Sequence, residues 1–387
     1  MQYLYPMRLE ASLHETIWGG RRLEQEHWKQ IPPGKMLVGE AWETEVNNLI
    51  ENGLYAGKTL GTVVQEMGAS FVGERGIELY GQRFPLLAKF IDANAQLSVQ
   101  VHPDDTYAAK HEGGKLGKTE FWYILAAEPH ATIVHGFKAK ASRAEVEQAI
   151  QHATLESLLH QEEVQAGDVI FVPAGTVHAI GSGILLYELQ EYSDITYRMY
   201  DYGRLTASGQ PRELHIERSL AVSSYDVSSR VKKTPVILEG GPGYEDRCLV
   251  ACRYFVTREI HLNGRGGMEG ETEGSCIILS SLSLQYPQAL QYSQADRTER
   301  LEPGDSSSDL VYRDQADKSI ELAQKNQIVV YYGEKLKQCE TLSQGQTMII
   351  PAGMGKYRIE GNGIVLYSYI PAPSDEAWRV WREKNED

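Results

Sequence analysis

The chain has 387 residues, of which 42% are hydrophobic, 24% charged and 9% aromatic, and this composition excludes a mainly disordered, collagen-like or low-complexity protein. Its length predicts two or three domains of about 100–200 residues each. The 38 Lys and Arg against 53 Asp and Glu give a net charge of −15, which opposes binding to nucleic acid or anionic lipid, although a local cluster of cations can still bind a small anion.

Short apolar runs typical of β-strands follow one another along most of the chain, separated by clusters of Gly, Pro, Asp and Ser. In chain order they are LSVQV, FWYIL, DVIFV, ILLYELQ, YFVTREI, CIILSSL, IVVYY and TMIIP. A parallel α/β sheet would need many more helices between these runs. The pattern therefore predicts a mainly β protein built from sandwiches or barrels.

Segments with helical periodicity are few. Residues 142–149 open with Ser142 and Glu145 at the spacing of a capping box, which predicts a helix. The C-terminal run SDEAWRVWREKNED predicts a second short helix with Trp378 and Trp381 facing inward.

An internal repeat divides the chain. The order Gly, five residues, Pro, one residue, Gly occurs within residues 166–190 and again within residues 344–370. Each copy then continues into a GxGI turn and an apolar strand. Two copies of one β unit imply two similar domains. We place their boundary in the segment rich in Gly, Pro and charge, which gives domains of residues 1–235 and 236–387.

The spacing of this repeat resembles the second motif of the cupin superfamily, whose members are double Greek-key jelly-roll barrels. In that motif a His three residues after the second Gly often binds a metal ion. The first copy has His178 at this position, and the second copy has Lys356. The resemblance implies a metal-binding first barrel, with an N-terminal decoration, and a degenerate second barrel that binds no metal.

The strand LSVQVHPDD carries a polar face. Because side chains alternate along a strand, Ser98, Gln100 and His102 share one face, while the apolar residues between them share the other. Such a face is costly to bury in a barrel unless its groups form bonds, and a metal ion would satisfy both the amide oxygen and the imidazole. The alternative is a hydrogen-bonded core histidine beside a polar turn.

Two further side chains could complete a metal site. Glu120 begins the run EFWYIL, and His178 follows PAG in a tight turn before another strand. Together with Gln100 and His102 they would offer two nitrogen and two oxygen ligands, a set that suits zinc and leaves room for water or substrate.

Several ordered motifs resemble those of the type I mannose-6-phosphate isomerases, a family of zinc-dependent cupins, in the short bacterial form. They are IWGG, GEAWE, LSVQVHPDD, KTEFWYIL, VPAGTVHAIGSG and SDITYRMYDYGR. The resemblance covers about the first 220 residues well and extends weakly through the second barrel. It implies one zinc ion per chain, held by Gln100, His102, Glu120 and His178.

The same resemblance implies roles for six further residues. It makes Arg198 a catalytic arginine, and it makes Glu188 and Lys118 the acid–base candidates. Of these two, we take Glu188 as the first candidate for proton transfer and Lys118 as the second. It also places Ser98 and Lys89 at the substrate phosphate. Arg204 stands where the family often has Lys, six residues after the arginine, and keeps the positive charge there.

The residues themselves leave other roles open for two of these cations. Arg198 could form a salt bridge with Glu188 or Asp194 and have no part in binding substrate. Lys89 lies in the apolar run PLLAKFI and could extend its ammonium group from a strand edge into solvent.

The resemblance implies an aldose–ketose isomerase that interconverts mannose 6-phosphate and fructose 6-phosphate by zinc-assisted proton transfer through a cis-enediol. Its partner would be a small sugar phosphate, and a monomer and a homodimer both fit. The alternatives are a non-catalytic, metal-bound cupin that binds sugar phosphates and an isomerase of another sugar. The four cysteines form no CxxC pair, and the opening residues lack the basic and apolar regions of a secretion signal, so we expect a reduced, cytoplasmic protein.

Overall fold

The computed structural model describes residues 4–35, 37–206, 209–227, 230–272, 274–282 and 327–385. Its strands are β1 (Met7–Leu9), β2 (Ser12–Gly20), β3 (Val38–Trp42), β4 (Leu86–Ala93), β5 (Val99–Val101), β6 (Glu120–Ala127), β7 (Thr132–Phe137), β8 (Leu159–Glu163), β9 (Val169–Val172), β10 (His178–Ile180), β11 (Ile184–Glu191), β12 (Tyr197–Tyr200), β13 (Lys232–Lys233), β14 (Val236–Gly241), β15 (Tyr244–Ala251), β16 (Val256–Glu271), β17 (Ile277–Leu282), β18 (Ile328–Tyr332), β19 (Gln338–Leu342), β20 (Thr347–Ile350) and β21 (Lys356–Tyr369). Its α-helices are α1 (Arg22–Gln25), α2 (Leu60–Met67), α3 (Ala69–Val72), α4 (Glu74–Tyr80), α5 (Asp105–His111), α6 (Arg143–Gln151), α7 (Ile216–Val222) and α8 (Glu376–Asn385). The predicted mainly β protein with few, short helices is confirmed.

The two predicted helices are present. Helix α6 begins at the predicted capping box: the Glu145 backbone N–H donates to Ser142 Oγ, and the Glu145 carboxylate accepts from the Ser142 backbone N–H at 2.8 Å. In α8, Trp381 is buried and donates its indole N–H to the Leu249 carbonyl at 2.8 Å, while Trp378 is half-buried. Residues 386 and 387 lie outside the described residues.

The N-terminal part of the chain forms a barrel from two antiparallel sheets. Seven strands follow the order β13-β9-β6-β11-β4-β3-β2, and five follow the order β12-β5-β10-β7-β8. Apolar side chains from both sheets, including Trp122, Leu186 and Ile180, pack together between them. The outer face of the five-stranded sheet packs against α5, α6 and α7. The polar part of the lumen therefore lies next to well-packed apolar side chains.

A nine-stranded sheet, with the main order β1-β20-β17-β21-β16-β15-β14 and with β18 and β19 added beside β21, forms the second barrel. Its interior is filled by apolar and aromatic side chains, among them Tyr357 and Tyr367, whose hydroxyls lie 2.7 Å apart. Lys356, at the position of the first barrel's His178, is exposed at the start of β21.

The predicted GxGI turn is wrong for the second copy of the repeat. In the first copy the chain turns between β10 and β11, and Gly183 has a φ of +76°. In the second copy β21 continues through the GxGI residues, with φ values of +135° at Gly361 and +155° at Gly363. Strand β16 pairs with β21 on both sides of these glycines, and this long partner keeps β21 extended.

The two barrels share one large apolar interface. Alternation along β6 directs Phe121 and Tyr123 out of the first barrel, where they pack with Phe255, Leu366 and other residues of the nine-stranded sheet. The N-terminal strand β1 pairs with β20 of that sheet, and β13 and β14 belong to different sheets. The division at residues 235 and 236 stays a prediction. In the described part of the chain, the structure contains no helix long and apolar enough to cross a membrane.

Candidate metal centre and active-site cavity

Three of the four predicted metal ligands meet at one end of the first lumen. His102 directly follows β5, Glu120 begins β6 and His178 begins β10. The turn before His178 contains Gly175, whose φ of +87° favours glycine, and the Gly175 N–H donates to the His102 carbonyl at 2.9 Å. This hydrogen bond places the two histidines side by side.

The side-chain atoms of this group face one another. His178 Nε2 lies 3.3 Å from Glu120 Oε1, and His102 Nε2 lies 3.6 Å from Glu120 Oε2. The potential ligand atoms all lie within 4.8 Å of one another, and the three residues are buried. A single ion could therefore contact all three.

The protonation of the two imidazoles fits metal binding. The Nδ1 atoms of His102 and His178 each lie 2.8 Å from a carbonyl oxygen, that of Ile195 and of Thr176. A carbonyl oxygen only accepts, so each Nδ1 carries the proton and each Nε2 presents a lone pair. Neither Nε2 has a hydrogen-bond partner. Burial lowers the pKa of His178 to about 3 and holds that of His102 well below its usual value, so both rings are neutral.

The positive charge near Glu120 does not offset the cost of burying its carboxylate. Burial, followed by the nearby Glu188 charge, raises the pKa of Glu120, although Lys118 Nζ lies 2.8 Å from Glu120 Oε2. A cation bound beside Glu120 would stabilise its carboxylate form. Two unpartnered imidazole nitrogens and an undercompensated carboxylate are a donor set that fits a divalent metal ion such as zinc.

Gln100, the fourth predicted ligand, occupies the strand between the other groups. In the five-stranded sheet it lies opposite both His178 on β10 and Arg198 on β12. Its half-buried side chain lines a cavity of about 390 Å³.

This cavity brings together most of the predicted substrate-binding and catalytic residues. Its lining includes Lys89, Ser98, Gln100, Lys118, Glu188, Thr196, Arg198 and Arg212, together with Glu15, Glu40 and the apolar rim. Four cations and three carboxylates thus face the same space. The chain has a net charge of −15, yet four cations lie together at this cavity, so a small anion could bind there.

Glu188 is the central carboxylate of the cavity. Its Oε2 accepts the Trp122 indole N–H at 3.0 Å, while its Oε1 lies 3.1 Å from Lys89 Nζ and 3.9 Å from Lys118 Nζ. Burial raises the pKa of Glu188, but Lys118 and Lys89 outweigh that effect and lower it to about 2. The side chain is therefore a carboxylate at neutral pH.

Lys89 is not the solvent-exposed lysine that was one alternative. Its side chain is 8% exposed, and its Nζ lies 3.1 Å from Glu188, 3.8 Å from Glu40 and 4.8 Å from the centre of the Trp42 ring. Burial lowers the pKa of Lys89, whereas Glu188 and Glu40 raise it by more, so the group stays a cation. Two carboxylates already share its charge.

Arg198 enters the cavity without forming a salt bridge. Its Nη1 donates to the Glu213 carbonyl at 2.8 Å, and its backbone N–H donates to His215 Nδ1 at 3.1 Å. The alternative salt bridge with Glu188 or Asp194 is wrong: within the described ranges Arg198 has no ion-pair partner, and Asp194 pairs with Lys115 at 2.8 Å. Its Nε is buried and has no hydrogen-bond partner.

Arg204 does not line the cavity, whereas Arg212, which the sequence analysis did not single out, does. Both guanidinium groups bind the buried Asp201, with Arg212 Nε 2.7 Å from Asp201 Oδ2. Leu205 pairs with Pro211, so Arg204 and Arg212 lie next to each other across a hairpin. The sequence TASGQ between them has the composition of a turn, and this signal could have predicted the placement.

Comparison with known proteins identifies the family. The sequence model of a family described as phosphomannose isomerase type I, catalytic domain, matches residues 7–160. The chain is 39% identical over 268 residues to the mannose-6-phosphate isomerase of Streptococcus mutans, a match that covers 68% of this chain and 81% of that protein. The chain belongs to the type I phosphomannose isomerase family. A second member, the mannose-6-phosphate isomerase ManA of Bacillus subtilis, is 38% identical over 268 residues, or 68% of this chain and 82% of that protein.

A solved member of the type I phosphomannose isomerase family has the same architecture. The crystal structure of the mannose 6-phosphate isomerase from Bacillus subtilis matches with a TM-score of 0.74 and 29% identity, covering 94% of this chain and 99% of that chain. The likeness extends over both barrels, and the predicted pair of cupin-type barrels is confirmed.

Proposed function

We propose that this chain is a zinc-dependent aldose–ketose isomerase that interconverts mannose 6-phosphate and fructose 6-phosphate. One observation carries the proposal: the His102, Glu120 and His178 group adjoins a cavity in which the Glu188 carboxylate contacts two lysines and Arg198 has no carboxylate partner among the described residues. The names of the Streptococcus mutans and Bacillus subtilis relatives support the same reaction.

The metal would be held by Gln100, His102, Glu120 and His178, one zinc ion per chain. When bound, zinc would polarise the sugar oxygens and stabilise the negative charge that develops on them. The hydrogen bonds at both Nδ1 atoms keep the imidazoles in the tautomer and orientation that this role needs.

The proton transfer is assigned to Glu188, with Lys118 as the second candidate. Isomerisation removes a proton from one of the two carbons C1 and C2, passes through a cis-enediol and returns the proton to the other carbon. Glu188 is already a carboxylate and can accept that proton, because Lys89 and Lys118 stabilise its charged form. Lys118 lies between Glu188 and Glu120 and could instead carry the proton or stabilise an anionic sugar oxygen.

The cations at the cavity rim are assigned to the anionic groups of the substrate. Arg198 donates to an enediolate or phosphate oxygen, since its buried Nε has no protein partner. Ser98 and Arg212 line the cavity and bind the phosphate, and Arg204 supports Arg212 through their shared contact with Asp201. The family resemblance implies that Lys89 binds the phosphate. Its Nζ also lies 3.1 Å from Glu188 Oε1, where it stabilises the charged form of that carboxylate.

The deciding experiment is a coupled assay of mannose 6-phosphate conversion to fructose 6-phosphate. It is run on untreated protein, after chelation and after zinc is restored, with metal content measured each time. Turnover that disappears with the chelator and returns with zinc is the expected result. Folded, zinc-loaded protein that binds sugar phosphate without turning it over would instead make the chain a non-catalytic cupin, and turnover of another sugar would change the substrate.

The four cysteines are free thiols, which is in keeping with a reducing, cytoplasmic location. We propose that location together with the function.

A further inference from the structure

We propose that Trp122 is a positioning residue that holds the Glu188 carboxylate in the orientation for proton transfer. This inference rests on the proposed function, because it assigns a purpose to the surroundings of the proposed proton carrier.

The backbone places the two side chains in contact. Trp122 on β6 and Glu188 on β11 lie directly opposite each other in the seven-stranded sheet, so their side chains point into the lumen together. The indole N–H donates to Glu188 Oε2 at 3.0 Å, and both residues are buried. Without this donor, Glu188 Oε2 would be a carboxylate oxygen buried with no hydrogen-bond partner, which is unfavourable.

The partners of the two carboxylate oxygens differ in chemistry. Glu188 Oε1 faces the ammonium groups of Lys89 and Lys118, which are themselves proton donors. Glu188 Oε2 faces an indole N–H, which only donates a hydrogen bond and exchanges no proton with a carboxylate at neutral pH. Trp122 therefore fixes the plane of the carboxylate without competing for the transferred proton.

The same ring also contacts the metal centre. The Trp122 and His178 rings lie 5.5 Å apart, edge to face, at 70°. The Nδ1–H of His178 donates to the Thr176 carbonyl at 2.8 Å, which fixes the orientation of that ring. One rigid, fully buried side chain thus sets the spacing between a metal ligand and the proton carrier.

The next residue along β6 provides a matched control. Tyr123 is also buried and also donates to a buried carboxylate, that of Glu259 at 2.5 Å. Its side chain points out of the lumen into the interface between the barrels, away from Glu188. Trp122→Phe and Tyr123→Phe each remove a hydrogen-bond donor from a buried glutamate, but of the two glutamates only Glu188 lines the cavity.

The test compares these variants as zinc-loaded protein. We expect Trp122→Phe to keep its zinc content, to change KM by less than about twofold and to lower kcat roughly 10- to 100-fold. We expect kcat of Tyr123→Phe to match that of the wild type. Trp122→Phe with wild-type kcat and intact fold would overturn the proposal.

Proton exchange separates positioning from a general structural defect. During turnover in D₂O, the ratio of deuterium incorporation to product formation reports how the proton carrier partitions its proton between substrate and solvent. A variant that merely contains fewer folded molecules lowers both rates and leaves their ratio unchanged. We expect Trp122→Phe to change the ratio, and an unchanged ratio would contradict the assignment. If the Phe variant fails to fold, 3-benzothienylalanine at position 122 keeps a bicyclic ring and lacks the N–H.

A double-mutant cycle with Glu188→Gln shows through which residue Trp122 acts. We expect Trp122→Phe to cause no further loss of kcat in the Glu188→Gln background, and additive losses would refute action through Glu188. The same four proteins are compared by thermal unfolding, where we expect non-additive changes in Tm. The Tm comparison needs no substrate. A wild type without isomerase activity would refute the proposed function, and the Trp122–Glu188 contact could still be measured. Additive Tm changes would refute the contact.

Discussion

Replacing Glu191 with Gln should remove part of the decrease in the free energy of unfolding that occurs as the pH rises. Glu191 ends β11, is 1% exposed and accepts the backbone N–H of Thr119, the residue before Glu120, at 2.9 Å. Its Oε1 has no hydrogen-bond partner. Burial, followed by the nearby charge of Asp105, raises the pKa of Glu191 from 4.5 to about 9.

The sign and size follow from the two pKa values. Above about pH 4.5 the unfolded chain has released this proton, whereas the folded chain keeps it up to about pH 9. Between these values the folded state binds one more proton than the unfolded state, so raising the pH destabilises it. The loss is at most about 1.4 kcal/mol per pH unit. Glu191→Gln removes this titration and keeps an amide oxygen as acceptor for the Thr119 N–H.

The assay is the free energy of unfolding, measured by denaturant from pH 5 to pH 9 for wild type, Glu191→Gln and the exposed control Glu217→Gln. The difference between Glu191→Gln and wild type should move in favour of the variant as the pH rises, by about 1 kcal/mol per unit. The control should run parallel to the wild type. A difference that stays constant across this range would refute the burial of a protonated Glu191.

Three further predictions concern the metal, the cavity and the second barrel. Gln100→Ala and His178→Ala should lose zinc and turnover together, whereas Lys356→Ala should keep both; a metal analysis that finds full zinc in His178→Ala would contradict the ligand set. Arg198→Lys should retain zinc and lower kcat/KM roughly 10- to 100-fold in the coupled assay, because one point charge replaces a planar donor, and unchanged kinetics would exclude a substrate contact. Trp381→Ala should destabilise the protein by about 3–5 kcal/mol in denaturant unfolding, and a loss below about 1 kcal/mol would show that α8 contributes little.

The strands and the metal site could be predicted from the sequence because both depend on local patterns. All eight apolar runs form or contain strands, and alternation along LSVQVHPDD was enough to put Ser98, Gln100 and His102 on one face. Glu120 and His178 come from distant strands, and the repeat and the family motifs supplied that long-range information.

Other features depend on partners that no local pattern specifies. Residues 60–80 form helices α2 to α4, which the sequence analysis did not predict. The contacts of Lys89 with Glu40 and Glu188 on the neighbouring strands were not predicted. Arg212 reaches the cavity because a hairpin places it there, and Trp122 contacts Glu188 because of the sheet register. Such pairings are non-local.

The pairing of β1 with β20 has a consequence for synthesis. Met7 lies opposite Ile349, so the first strand leaves the ribosome long before its partner exists. At about 5–20 residues per second, the gap is roughly 20–70 s. Until residues of the nine-stranded sheet such as Phe255 are made, the outer face of the seven-stranded sheet, with Phe121 and Tyr123, also lacks its cover. Pairing of β1 with β20 is thus a late step, and a nascent chain that lacks β20 presents an unpaired strand and an apolar sheet face to chaperones and proteases.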